Sequence, residues 1–130
     1  MSRYLLDTHV LIWWRRDDHR LPHKWDHLFT PGSGHEILFS TVSLWEIAIK
    51  RTLGKLTLEG NLADFSQTLE SRHGFLRLGL DVPELCRLEK LPLHHADTFD
   101  RLLIAQSIEH SAVAVTNDPK WRPYPVRTDF

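Results

Sequence analysis

The sequence predicts a three-layer α/β/α domain, a central parallel sheet covered by helices on both faces. Short apolar runs alternate with stretches of helical length from one end of the chain to the other. The stretches between those runs are long enough for crossover helices, which join parallel strands, and too long for hairpins. The chain has 130 residues, 42% of them hydrophobic and 25% charged, which suits a single globular domain over residues 1–130 with a core of its own.

The elements follow in order. Tyr4-Leu5-Leu6 is a compact apolar run ending at Asp7-Thr8, a strand running into a helix cap. His9 to Arg16 is a short helix. Pro22 suits the first turn of a second helix, expected to end near Pro31-Gly32. Ile37-Leu38-Phe39 is the second strand. Ser40 to Leu53 is a helix closed by Gly54 as its C′ residue. Leu62 to Arg72 carries apolar residues at 62, 65 and 69, one helical face. Phe75 to Leu80 is a third strand and Val82 to Lys90 a further helix. Thr98 to His110 is helical, Ala112 to Val115 is a buried strand, and Val126 begins a last short strand.

Composition excludes several function classes. No apolar run is long enough to cross a bilayer, since Val10 to Trp14 stops at Arg15-Arg16-Asp17-Asp18. The N-terminus lacks the basic and apolar pattern of a secretory signal. One cysteine, Cys86, forms no intramolecular disulfide and is expected to be buried, and no Cys/His zinc spacing occurs. A cytoplasmic, soluble protein is the expectation. A net charge of −1 does not mark the whole surface for nucleic acid, so any such binding must be local.

The predicted topology has a chemical consequence. Parallel strands end at one edge, crossover helices begin there, and ligands gather there. Asp7 ends the first strand, Glu46 lies early in the helix after the second, Asp100 opens the helix before the Ala112–Val115 strand, and Asp118 follows that strand. Four carboxylates a few ångströms apart repel unless a cation joins them. A hard divalent ion such as Mg²⁺ or Mn²⁺ accepts carboxylate oxygens, keeps water ligands and attracts phosphate. Each acid also has a purely local role open to it. Asp7-Thr8 suits a helix N-cap, and Ser43-Leu44-Trp45-Glu46 reads as a capping box with Glu46 and Lys50 spaced for an ion pair. Asp97 and Asp100 suit a helix N-terminus, with Asp97 spaced to pair with Arg101, and Thr116-Asn117-Asp118-Pro119 suits a turn.

Four stretches resemble the motifs of PIN-domain proteins, in order and over nearly the whole chain. They are Tyr4-Leu5-Leu6-Asp7-Thr8-His9-Val10-Leu11-Ile12-Trp13-Trp14, Ser43-Leu44-Trp45-Glu46-Ile47-Ala48-Ile49-Lys50, His95-Ala96-Asp97-Thr98-Phe99-Asp100-Arg101-Leu102-Leu103-Ile104-Ala105-Gln106 and Val115-Thr116-Asn117-Asp118-Pro119. The chain is most similar to the VapC-like toxins of type II toxin–antitoxin systems. The resemblance implies a PIN-like fold and a Mg²⁺- or Mn²⁺-dependent endoribonuclease, homodimeric and inhibited by a cognate antitoxin. It assigns catalysis and metal binding to Asp7, Glu46, Asp100 and Asp118, with Asp97 as an alternative to Asp100. Thr8, Thr116 and Asn117 are candidates for support of the acids or phosphate contact.

Other groups have weaker patterns. His9 lacks a partner at ligand spacing, and adjacent His94 and His95 should point different ways, which favours exposed or supporting histidines over a histidine metal site, with His95 placed to help bind phosphate near the rim. Lys120-Trp121-Arg122 reads either as an RNA grip by charge and stacking or as a surface segment with a core tryptophan. Trp13, Trp14, Trp25 and Trp45 belong either to the core or to a dimer or antitoxin groove. Two rival functions stay open: a catalytically silent binding module acting through dimerisation and antitoxin-dependent DNA binding, and a metal-dependent phosphatase or DNA nuclease.

Overall fold

The computed structural model describes residues 2–130. Strands β1 (Arg3–Leu6), β2 (Glu36–Ser40), β3 (Leu76–Leu78), β4 (Val113–Val115) and β5 (Thr128–Asp129) form one sheet in the order β3-β2-β1-β4-β5. Every pairing is parallel, with Leu5 opposite Leu38 on one side and Ala114 on the other. The helices are α1 (Thr8–Arg16), α2 (Lys24–Leu28), α3 (Thr41–Thr52), α4 (Leu62–Ser71), α5 (Val82–Lys90) and α6 (Thr98–Glu109).

Alternation along the strands builds the layers. Leu6, Ile37, Phe39 and Val115 face a core with Val10 and Leu11 of α1, Trp25 of α2 and Phe65 and Leu69 of α4. Ala114 joins the other face, a core with Leu102, Leu103, Ile104 and Ala105 of α6, Trp121 and Tyr124. Apolar burial on both faces is what a parallel sheet requires. Helix α3 contributes Val42 to one core and Ile47 to the other.

Several boundaries differ from the sequence reading. The second helix starts at Lys24, two residues after Pro22, because Asp18 to Leu21 forms a turn in which Leu21 N–H reaches the Asp18 carbonyl at 3.1 Å. It ends at Leu28, short of Pro31. The third strand keeps only three residues of the expected six, and the last strand begins at Thr128 while Val126 packs against the α6 core. Gly54 does close α3: at φ +71° its N–H bonds to the Arg51 carbonyl, and Lys55 N–H reaches back to Lys50. Cys86 is exposed, not buried, because it lies on the outer face of α5. No helix among the described residues is long and apolar enough to cross a membrane.

Candidate metal centre and active site

Asp7 begins the site at the C-terminal edge of β1. It is the N-cap of α1, its Oδ1 accepting from Val10 N–H at 2.8 Å, and it is buried at 5% exposure. The local role read in the sequence is therefore real, but it uses one oxygen only. The other oxygen accepts from the Thr116 hydroxyl at 2.5 Å, a bond from the end of β4. The same hydroxyl accepts from Asp118 N–H at 3.1 Å, so Thr116 ties two of the acids together.

Glu46 comes from α3. The capping-box reading fails here: the N-cap is Ser40, and Ser43 is interior to the helix, accepting from the Thr8 hydroxyl at 3.0 Å. The ion pair is present, with Lys50 Nζ 2.6 Å from Glu46 Oε2. Glu46 is nonetheless buried at 3% exposure, and its Oε1 has no hydrogen-bond partner among the described residues. A buried carboxylate oxygen left unpartnered is costly and is normally satisfied by an ordered water or an ion.

Asp97 and Asp100 divide the start of α6 between them. Asp97 is the N-cap, its Oδ1 accepting from Asp100 N–H at 3.0 Å. Asp97 does not pair with Arg101, whose guanidinium reaches the Leu91 carbonyl at the end of α5 instead. Asp100 is left to face the other acids. Asp118 sits beyond β4 as the cap of the short helix Pro119–Trp121 and bonds Lys120 N–H at 2.9 Å.

The residue that the spacing argument undervalued is His95. Its ring is buried at 7% exposure, and Nε2 lies 3.0 Å from both Asp100 Oδ2 and Asp118 Oδ2. Its backbone N–H and that of His94 both donate to the Tyr124 hydroxyl, at 2.8 and 3.0 Å, which fixes the loop. One atom from each of His95, Asp100 and Asp118 falls within 4.8 Å of the others. A visible clue was the position of His95 five residues before Asp100, on the segment that enters α6.

Electrostatics single out Asp100. Burial, then repulsion from Asp97, Asp7, Glu46 and Asp118, pushes its pKa up to about 8. Asp7 is also raised, mainly by burial and against its bonds from Thr116 and Val10. Asp118 moves the other way: burial would raise it, but Lys120 N–H, the His95 contact and the Lys120 charge outweigh that and lower it. A divalent cation among these carboxylates would offset the repulsion that raises Asp100. The donors are hard carboxylate oxygens, including the orphaned Glu46 oxygen, and suit Mg²⁺ or Mn²⁺; the His95 ring accepts from Asp97 N–H at Nδ1 and turns its Nε2 to the carboxylates.

Two consequences are measurable. Unfolded, an aspartate titrates near 3.8, whereas folded Asp100 titrates near 8, so between these values the folded chain holds the extra proton. Stability from this group is full below 3.8 and lost as pH rises through 8. In metal-free protein, the gain in Tm from Asp100→Asn is expected to grow across that window, reaching roughly 5 °C at its alkaline end; calorimetric scans at a series of pH values check it. Separately, Thr116→Val removes the bridge between Asp7 and Asp118. It is expected to weaken Mn²⁺ binding about 10- to 100-fold with little change of fold, as titration calorimetry would show.

The PIN domain family model matches residues 4–126, almost the entire chain. The chain belongs to the PIN domain family. This PIN domain also shares its fold with solved structures. VapBC2 from Rickettsia felis, bound to a DNA fragment from its promoter, superposes with a TM-score of 0.74 at 16% identity, covering 98% of both chains. DNA-bound VapBC from Salmonella typhimurium gives 0.66 at 16% identity, covering 99% of this PIN domain and 98% of the other chain. VapBC-5 from Mycobacterium tuberculosis gives 0.60 at 18% identity, covering 99% and 97%. No curated protein matches the sequence.

Proposed function

We propose that this PIN domain is the VapC-like toxin of a type II toxin–antitoxin pair, a Mg²⁺- or Mn²⁺-dependent endoribonuclease. The observation that carries the reading is the meeting of Asp100 and Asp118 at His95 beside the sheet edge, with Asp7 and Glu46 near enough to raise the Asp100 pKa and a Glu46 oxygen left unpartnered. Asp7, Glu46, Asp100 and Asp118 would hold the cation. Bound there, a divalent ion supplies an acidified water and charge neutralisation for a phosphodiester.

The chain's own residues do the rest. Thr116 orients Asp7 and Asp118 through one hydroxyl. Lys50 compensates the buried Glu46 and leaves its second oxygen available. His95 hydrogen-bonds Asp118 through Nε2, with Asp100 Oδ2 at the same 3.0 Å distance, and so fixes the Asp118 carboxylate beside Asp100. Ionised Asp100 is needed for the cation, so metal affinity should rise with pH up to about 8.

The partners follow from the relatives. The similar structures are of VapBC proteins and of FitAcB from Neisseria gonorrhoeae, and two of the VapBC structures contain DNA. We assign this chain an antitoxin partner on that basis; a homodimeric state rests on the family resemblance and a cytoplasmic setting on composition. Choice of RNA over DNA rests on the family resemblance. The test is cleavage of an RNA mixture by the purified chain with Mn²⁺, with and without EDTA. Cleavage that persists in chelator would end the metal reading.

A further inference from the structure

A cleft of about 340 Å³ opens beside the acidic edge, lined by Asp7, His9, Trp13, Arg20, Asn117 and Asp118. Two of its walls are already carboxylates of the proposed metal centre. The opposite end has a different chemistry. Arg20 lies over the indole of Trp13, its guanidinium carbon 5.1 Å from the ring centroid. Asp18 grips the same guanidinium from the side, with Nε to Oδ1 at 3.0 Å and Nη2 to Oδ2 at 2.7 Å. The fork leaves Nη1 without a protein partner among the described residues. Phe130 meets the Trp13 ring edge-on at 5.9 Å, and His9 lies 6.1 Å from it one turn back on α1.

This arrangement is not that of a loose surface arginine. An exposed arginine normally samples many rotamers, whereas here a bidentate carboxylate and an aromatic face fix the plane. Half of the Arg20 side chain remains accessible, at 54% exposure. Because Asp18 already balances its charge, Arg20 offers a positioned flat surface and a free N–H donor more than a long-range field. Flat cations on aromatic supports stack nucleobases, and a donor beside them reaches phosphate or base edges. Six residues of helix place Trp13 about 9 Å along α1 from Asp7, so the stacking end of the cleft is set off from its carboxylate end.

Resting on the nuclease reading above, we infer that the Trp13–Arg20 cleft is the subsite for the nucleotide next to the scissile phosphate of a single-stranded RNA, held by stacking on the Arg20 plane. Unpaired bases reach such a plane, while bases within a duplex are already stacked.

The experiment uses the full chain and a short fluorescein-labelled single-stranded RNA. Binding is read by anisotropy in an Asp100→Asn background, so that cleavage does not consume the probe. Arg20→Ala is expected to weaken binding about 5- to 100-fold, the range for loss of one stacking platform. Arg20→Lys, which keeps charge but not the plane, is expected not to restore it. In the native background, Arg20→Ala should raise KM with kcat and Mn²⁺ affinity unchanged. Unchanged RNA affinity in Arg20→Ala, full rescue by Lys, or an effect seen only on binding of a co-expressed antitoxin overturns the inference. Failure of the nuclease reading would look different: no Mn²⁺-dependent cleavage by the native chain, whatever the anisotropy shows.

Discussion

Asp7→Asn is expected to reduce metal-dependent RNA cleavage by roughly 10²–10³-fold, the scale for removal of one group that stabilises developing charge. The substitution is nearly isosteric, and the cap can survive it: an amide oxygen still accepts from Val10 N–H. What changes is the charge beside Glu46 and Asp100 and the acceptor for Thr116. Asp100→Asn should lose activity to a similar extent while stabilising metal-free protein, because it removes the carboxyl that the others repel. Opposite signs on activity and stability at one position mark a residue kept for function. Initial rates on a defined RNA, with circular dichroism melts of the same preparations, check both. Activity retained by both variants would remove these carboxylates from the chemistry.

Trp121→Ala carries the largest expected effect on stability, a loss of about 3–5 kcal/mol. The side chain is 1% exposed and lies in the core formed by Leu102 to Ala105, Ala114 and Tyr124. This decides between the two readings of Lys120-Trp121-Arg122: the tryptophan is a core anchor, with only Lys120 and Arg122 exposed. Its loss should reach the site as well. Trp121 supports the segment that carries Asp118 and Tyr124, and Tyr124 holds the backbone of His95. Urea unfolding is expected to show a much lower midpoint for Trp121→Ala, and a milder one for Trp121→Phe. A midpoint unchanged by the alanine substitution would contradict the packing seen here.

The legible part of the site lay in residues whose positions follow from element order. Asp7 and Asp118 flank strands, and Asp97 and Asp100 open a helix, so a correct reading of the strands carried them to one edge. Glu46 was legible as a polar residue in an apolar stretch, though the cap beside it was misplaced by three residues, from Ser40 to Ser43. His95 and Arg20 were less legible. Neither has a partner at a regular spacing, and both take their meaning from residues far away or around a turn: Asp118 for His95, Trp13 for Arg20. Trp13, Trp14, Trp25 and Trp45 divided in the same way. Trp25 is fully buried, Trp13 and Trp14 are half-buried, and Trp45 is 49% exposed against Phe99.

Local patterning by itself determined the alternation of strands and helices, the parallel sheet and the edge where the acids collect. Those features depend on periodicity and on connection length, which are properties of neighbouring residues. Tertiary structure alone decided which oxygen of each acid is occupied, which histidine enters the site and which arginine is fixed. Hydrogen bonding and desolvation act over a few ångströms between residues up to 109 positions apart, as between Asp7 and Thr116. No spacing rule along the chain encodes a contact of that kind.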